Sequence, residues 1–227
     1  SLGTGNPVTE ELAKTVPVTL TVVAYSAVIM VIGVMIVGAL GYLWRNKAGG
    51  MILSFLTMVG ISVPGFYFGT AFFAVQLGWL KVSGNSDFLK YFPVALCLSI
   101  LGICFYGKML AASLEREMDQ DYAMYARCRG LSEIRILFFH ALPHAVVDLL
   151  PNFAQMLGLC LANAAIVERV FSLSGLGYLI IDAVVKRDSP VIHAAVLILA
   201  LTLVLLDTAA ELLQYALRSD MRAAGGR

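Results

Sequence analysis

His140 and His144 stand four residues apart, a spacing that puts two imidazoles on one helix face and that some zinc sites use. No third ligand and no HExxH pattern accompany them, so a structural role in a charged loop is the expectation. The cysteines, Cys97, Cys104, Cys128 and Cys160, show no CxxC or Cys/His metal spacing and read as reduced thiols. Gly175-Leu176-Gly177 lacks the Lys-Ser/Thr of a phosphate loop and the strand context of a dinucleotide fold. The serines have no matching His/Asp set, and His193 stands alone at a helix start. These residue types and spacings point away from catalysis, metal binding and ATP hydrolysis by this chain.

Polar residues inside apolar stretches carry more information. Asp148, Asp207 and Glu211 lie within or near apolar blocks, and Gln155 and Asn163 share a block with Asp148. Intramembrane charge is costly and usually faces a cavity or a partner. Asp148 and Glu211 lie near block ends and can reach the interface, whereas Asp207 is deeper. Asp207 is therefore a candidate to line a polar pathway, and Gln155 and Asn163 either bond between helices or line that pathway with it. Glu168 and Arg169 open a polar loop that Lys186-Arg187-Asp188 closes. That loop either meets an external protein or is solvated and holds its own ion pairs.

Apolar helices must position these groups. Of 227 residues, 59% are hydrophobic and 14% charged, against roughly 45–50% and about 25% in soluble domains. A bilayer core of ~30 Å needs about 20 apolar residues per spanning helix. Apolar blocks cover about 18–44, 51–78, 91–112, 145–167 and 191–215. Pro64-Gly65 breaks the second, which is either a kinked helix or a helix with a short return. The expected fold is all-α, a polytopic transmembrane bundle of about five spans. Segment 1–17 reads as an extracytoplasmic N-terminal segment, 18–215 as the transmembrane domain and 216–227 as a cytoplasmic tail. Lys and Arg favour that orientation, with Arg45, Lys47, Arg116, Arg127, Arg129 and Arg135 on the side of the tail. The N-terminus is then outside with no signal before it, so a further helix is expected upstream of Ser1. A net charge of +1 gives no pull toward nucleic acid.

The loop at about 113–144 is the most charged part of the chain. Asp119 or Asp121 can cap a helix start, Arg127 and Arg129 suit its last turn, and Gly130 suits the left-handed position beyond. Met118, Tyr122, Tyr125 and Ala126 fall on one face. Ser132 offers a second N-cap, followed by a stripe of Ile134, Leu137, Phe138 and Ala141. Pro143 ends or kinks that second helix. The pattern predicts a helix–glycine–helix hairpin, either lying at the headgroups or docking a soluble partner.

Tyr125-Ala126-Arg127-Cys128-Arg129-Gly130-Leu131-Ser132, followed by His140-Ala141-Leu142, resembles the "EAA" coupling loop of bacterial ABC importer permeases. The dipeptide, oligopeptide and nickel group is the nearest pattern. Ile166-Val167-Glu168-Arg169-Val170-Phe171-Ser172, Gly175-Leu176-Gly177, Asp182-Ala183 and Arg187-Asp188-Ser189-Pro190-Val191-Ile192 resemble that group in register. So do Ser62-Val63-Pro64-Gly65-Phe66, Leu77-Gly78-Trp79-Leu80-Lys81-Val82-Ser83-Gly84, and Leu2-Gly3-Thr4-Gly5 with Pro7-Val8. The resemblance implies a bacterial inner-membrane permease that pairs with a second permease and takes solute from an extracytoplasmic binding protein. It also implies two ABC ATPase subunits, which hold ATP and magnesium; no cofactor is expected on this chain. It assigns ATPase coupling to Tyr122, Tyr125, Ala126, Arg127, Gly130, Leu131, Ile134, Leu137 and Phe138, and peptides or nickel and metal-chelate solutes as cargo. The rival reading is a self-sufficient channel or secondary transporter.

Overall fold

The computed structural model describes residues 1, 7–68, 71 and 87–225, without the side chains of 87–90 and 218–225. The readings placed on 2–5 and 77–84 lie outside the described residues. Every regular element among the described residues is helical: α1 (Val8–Leu43), α2 (Ala48–Ser62), α3 (Asp87–Met118), α4 (Asp121–Cys128), α5 (Glu133–Ile136), a π-helical turn (Leu137–Ala141), α6 (Leu142–Val170), α7 (Leu176–Val185) and α8 (Ser189–Gly225). Among the described residues, four stretches are long and apolar enough to cross a membrane: Val8–Leu43, Tyr91–Met118, Glu133–Val170 and Ser189–Leu217. The expected all-α bundle is the fold that forms.

The described part of the second apolar block is broken at Pro64. Its helix α2 stops at Ser62, just before Val63-Pro64, and has 15 residues. At 1.5 Å per residue that is about 22 Å, short of a ~30 Å hydrocarbon core. The ring of Pro64 disfavours α conformation at Val63, so the helix ends there. A new helical turn begins at once, with the Tyr67 N–H donating to the Pro64 carbonyl at 3.0 Å.

Of the two outcomes expected at Pro143, an end or a kink, the end does not occur. The chain runs helically from Glu133 to Val170, passing through the π turn just before the proline. Pro143 follows that π turn by two residues, inside the continuous helix. At the join, the Leu142 N–H donates to the Leu137 carbonyl, and the wider turn takes up the misfit. At the other end of the chain, α1 starts at Val8, inside the polar N-terminal segment, and carries Pro17 within it.

Two compact units share these helices. One comprises Ser1–Met30, Val63–Leu101 and Met156–Leu206. In it Ser26 of α1 and Ser99 of α3, both buried, bring their hydroxyls to 3.0 Å, and the Cys160 thiol of α6 donates to the Leu98 carbonyl. Such small polar contacts between apolar helices replace a hydrophobic drive that lipid does not supply. Leu12, Leu176 and Ala195 form a core where α1, α7 and α8 meet, with Val16, Leu179, Ile180 and Ile198 against it.

The other unit comprises Val31–Ser62, Gly102–Gln155 and Asp207–Arg227. Glycines set its spacing between α1 and α3. A Cβ at Gly38 would stand 2.6 Å from Leu110, which is fully buried, and one at Gly107 would stand 2.4 Å from Val37. Gly38→Val is therefore expected to cost about 1–3 kcal/mol through overpacking. Thermal unfolding in detergent checks this, and an unchanged midpoint would contradict it. Exposed large apolar side chains such as Ile32 and Ile36 on α1 and Leu197, Leu201 and Leu205 on α8 give the helices a lipid-compatible surface.

Candidate functional site

The hairpin between α3 and α6 turns on Gly130. Gly130 has φ +80, and nothing lies within 4 Å of where its Cβ would be. Its N–H donates to the Arg127 carbonyl and that of Leu131 to the Ala126 carbonyl, the two bonds of a Schellman end. The positive φ expected from sequence is present. Across the turn Arg127 grips Glu133 with two hydrogen bonds, Nε to Oε1 at 2.6 Å and Nη2 to Oε2 at 3.2 Å. The N-caps differ in part. Ser132 takes the N-cap position of α5 as expected and Gln120, rather than an aspartate, that of α4, but neither side chain makes the capping bond.

The candidate docking residues separate by burial. Tyr125 and Ile134 are 72% and 61% exposed, and Arg127, Gly130 and Phe138 are also exposed. Ala126 and Leu137 are buried inside the hairpin, and Leu131 is half-buried. Tyr122 turns inward, donating its hydroxyl to Glu117 Oε2 at 2.7 Å and setting its ring 5.5 Å from that of His144. Burial pushes the Tyr122 phenol well above its ordinary range, and acceptance by Glu117 adds to this, so it remains a donor. Met124 and Phe139, not singled out by sequence, are as exposed as Tyr125 and extend the apolar surface of the two arms. His140 Nδ1 is buried without a hydrogen-bond partner among the described residues. Among those residues no group of three or more His, Cys, Asp or Glu could hold a metal ion.

A second constellation lies around Glu168, at the end of α6. Glu168 is fully buried, so it neither meets an external protein nor sits in a solvated loop. Its carboxylate accepts from Thr19 Oγ1 at 2.6 Å and from the Tyr178 N–H at 3.1 Å, and the Gly177 N–H also reaches it. Thr19 Oγ1 in turn accepts from the Leu176 N–H at 2.7 Å. The leading N–H groups of α7, which its own helix leaves unpaired, are thus all satisfied by side chains of α1 and α6. The residue before α7 is Gly175, and a Cβ there would stand 2.4 Å from the Glu168 carboxylate. A Cβ at Gly177 would stand 2.3 Å from the Ala165 backbone. Gly175-Leu176-Gly177 is a packing seat for a buried acid.

The ends of the same loop are Schellman turns without glycine. Ser172 and Arg187 have φ 54 and φ 56. Leu173 N–H to Glu168 carbonyl and Asp188 N–H to Ala183 carbonyl close them. Arg169 lies over the Tyr178 ring at 4.7 Å, and Lys186 pairs with Asp182 at 2.7 Å.

The amides of α6 are presented outward. Gln155 and Asn163 are exposed on that helix, and neither makes a hydrogen bond to another described residue. Asn163 lines a water-sized cavity of about 20 Å³ with Gly65, Phe66, Cys97 and Leu98. Asp207 is exposed on α8, one turn before Glu211.

The pattern of binding-protein-dependent transport system inner membrane components matches residues 29–223. This chain belongs to that family. Glutathione transport system permease protein GsiC of Escherichia coli K12 is 30% identical to it over 225 residues, covering 98% of this chain and 74% of the relative. The protein of the same name from Shigella flexneri serotype 5b matches equally. Among solved structures, the MetNI methionine ABC transporter in inward-facing form gives a TM-score of 0.78 at 18% identity, covering 94% of this chain and 99% of that one. An amino acid ABC transporter with histidines gives 0.69 at 15% identity, over 92% and 94% of the two chains. At that identity these structures show a shared fold.

The resemblance to the dipeptide, oligopeptide and nickel permeases therefore stands. The permease is a multi-pass inner-membrane subunit of a binding-protein-dependent ABC importer, and ATP hydrolysis belongs to a separate subunit. The reading as a self-sufficient channel or secondary transporter falls. Thr19 and its bond to Glu168 escaped sequence reasoning because 149 residues separate them. The one local signal was an acid at the end of an apolar run, just before Gly-Leu-Gly.

Proposed function

We propose that this permease, paired with a second permease, forms the inner-membrane pathway for small peptides or for nickel and other metal-chelate solutes of similar size. Similarity across 98% of the chain to a permease named for glutathione, a peptide, carries this reading and favours the peptide class. The exposed amides of Gln155 and Asn163 support it, because each both donates and accepts hydrogen bonds, as peptide groups do. Polar side chains on the outside of a membrane helix are costly against lipid, so these amides, with Asp207, line the pathway.

An extracytoplasmic binding protein delivers the solute. Two ATPases dock on the hairpins of the paired permeases through Tyr125, Arg127, Ile134 and Phe138, while Ala126, Gly130, Leu131, Leu137 and Tyr122 hold the hairpin in shape. ATP binding draws the ATPases together, and the hairpins pass that movement to the spans. Uptake by proteoliposomes carrying the assembled transporter, its binding protein and internal ATP tests the cargo. Radiolabelled glutathione and other tripeptides, or a nickel chelate, are expected to accumulate. Accumulation only of free amino acids or sugars would overturn the proposal. Replacing both Gln155 and Asn163 with leucine is expected to cut uptake about tenfold, one lost hydrogen bond's worth, with the ATPase still bound. Undiminished uptake would remove the two amides from the pathway.

A further inference from the structure

The second unit holds a groove of about 130 Å³ between α1, α2 and α3. Val37, Gly41 and Leu53 line it with Gly107 and Ala111, and Ser54, Thr57 and Lys108 supply its polar groups. The small residues bring helix backbones together beneath it, since a Cβ at Gly41 would stand 3.0 Å from that of Ala111.

Lys108 is the unusual member. It is half-buried within the span Tyr91–Met118, and it makes no hydrogen bond or ion pair among the described residues. An unpaired ammonium in hydrocarbon is costly unless it reaches an anion or the interface. Depth supplies the anion. Glu115, Arg116 and Glu117 at the end of α3 must remain among headgroups or in water, and Lys108 lies about 10 Å before Glu115 along the helix. Ser54 lies about 9 Å into α2 from Ala48. Nearby, Arg45 stacks on the Tyr42 ring at 4.5 Å at the end of α1, where aromatic and basic residues mark the headgroup level. The groove therefore sits just under the headgroups, with apolar walls and one positive charge in its lining.

We infer that this groove is a binding site for an anionic phospholipid, whose phosphate meets Lys108 and the Ser54 hydroxyl while the start of an acyl chain lies against Val37 and Leu53. Thr57 is not a ligand, because its hydroxyl already bonds the Leu53 and Ser54 carbonyls at 2.9 and 3.0 Å.

The test uses the full-length permease in its assembled transporter, placed in nanodiscs of mixed phosphatidylglycerol and phosphatidylcholine and released for native mass spectrometry. Wild type and Lys108→Arg are expected to retain phosphatidylglycerol about fivefold over phosphatidylcholine, the preference one cation near a membrane surface confers. Lys108→Leu is expected to abolish the preference. Ser54→Leu fills an exposed wall of the groove with the charge left in place, and is expected to lower bound phosphatidylglycerol while the transporter stays assembled. Equal retention of both lipids by wild type would overturn the site. So would an undiminished preference in Lys108→Leu, undiminished bound phosphatidylglycerol in Ser54→Leu, or disulfide crosslinking of Ser54→Cys to a second permease chain, which would make the groove a protein interface.

Discussion

Glu168→Ala should unfold the detergent-solubilised permease well below the wild-type temperature, with a loss of about 3 kcal/mol. The substitution leaves the Thr19 hydroxyl and the N–H groups of Gly177 and Tyr178 buried without their acceptor. It also leaves a void beside Gly175, whose missing Cβ makes room for the carboxylate. Glu168→Gln should cost less, because the amide oxygen still accepts, although its NH2 then faces N–H groups. Thr19→Val, which keeps the shape, should cost about 1–2 kcal/mol by stranding the Leu176 N–H and one carboxylate oxygen. Combining Thr19→Val with Glu168→Gln should cost less than the two separate losses together, since the groups share one network. Thermal unfolding of all four variants measures this. A wild-type midpoint for Glu168→Ala would mean that α7 is seated by apolar packing alone.

Gly130→Val should remove the ATPase from the purified complex and abolish uptake. The left-handed φ of Gly130 costs a side-chain residue roughly 1–2 kcal/mol, and a β-branched one most. Because nothing lies within 4 Å of the new Cβ, the whole effect comes from backbone geometry rather than from a clash. Gly130→Asn should therefore stay close to wild type. Tyr125→Ala probes the surface directly. At 72% exposure, its truncation should leave the fold untouched yet weaken ATPase recovery about thirtyfold, the cost of removing an aromatic anchor. Ala126→Trp is a poorer probe than its small size suggests, since Ala126 is buried and a tryptophan there would break the hairpin itself. Full ATPase recovery with both Gly130→Val and Tyr125→Ala would leave the hairpin a helix pair resting on lipid.

Much of this protein is legible in its residues because membrane physics acts locally. A spanning helix must pair all its backbone groups within itself, so a run of apolar residues is already a statement about structure. The bundle, the hairpin and the left-handed glycine at 130 follow from composition, periodicity and one turn residue. The family is legible too, because its segments recur in order along the chain. Pro143 reads as a stop or a kink, and the helix runs on through it because the preceding π turn takes up its misfit.

What tertiary structure alone decided is which side of each helix is used. The amphipathic stripe Ile134, Leu137, Phe138 and Ala141 looks uniform in sequence, yet Leu137 and Ala141 are buried and Ile134 and Phe138 face outward. Tyr122 and Tyr125 look like a pair, yet one is bonded to Glu117 and the other is bare. Glu168 looks like a loop charge, yet Thr19, 149 residues away, and the start of α7 bury it. Propensity and hydropathy depend on neighbours within a few turns, and these choices depend on partners brought together only by packing.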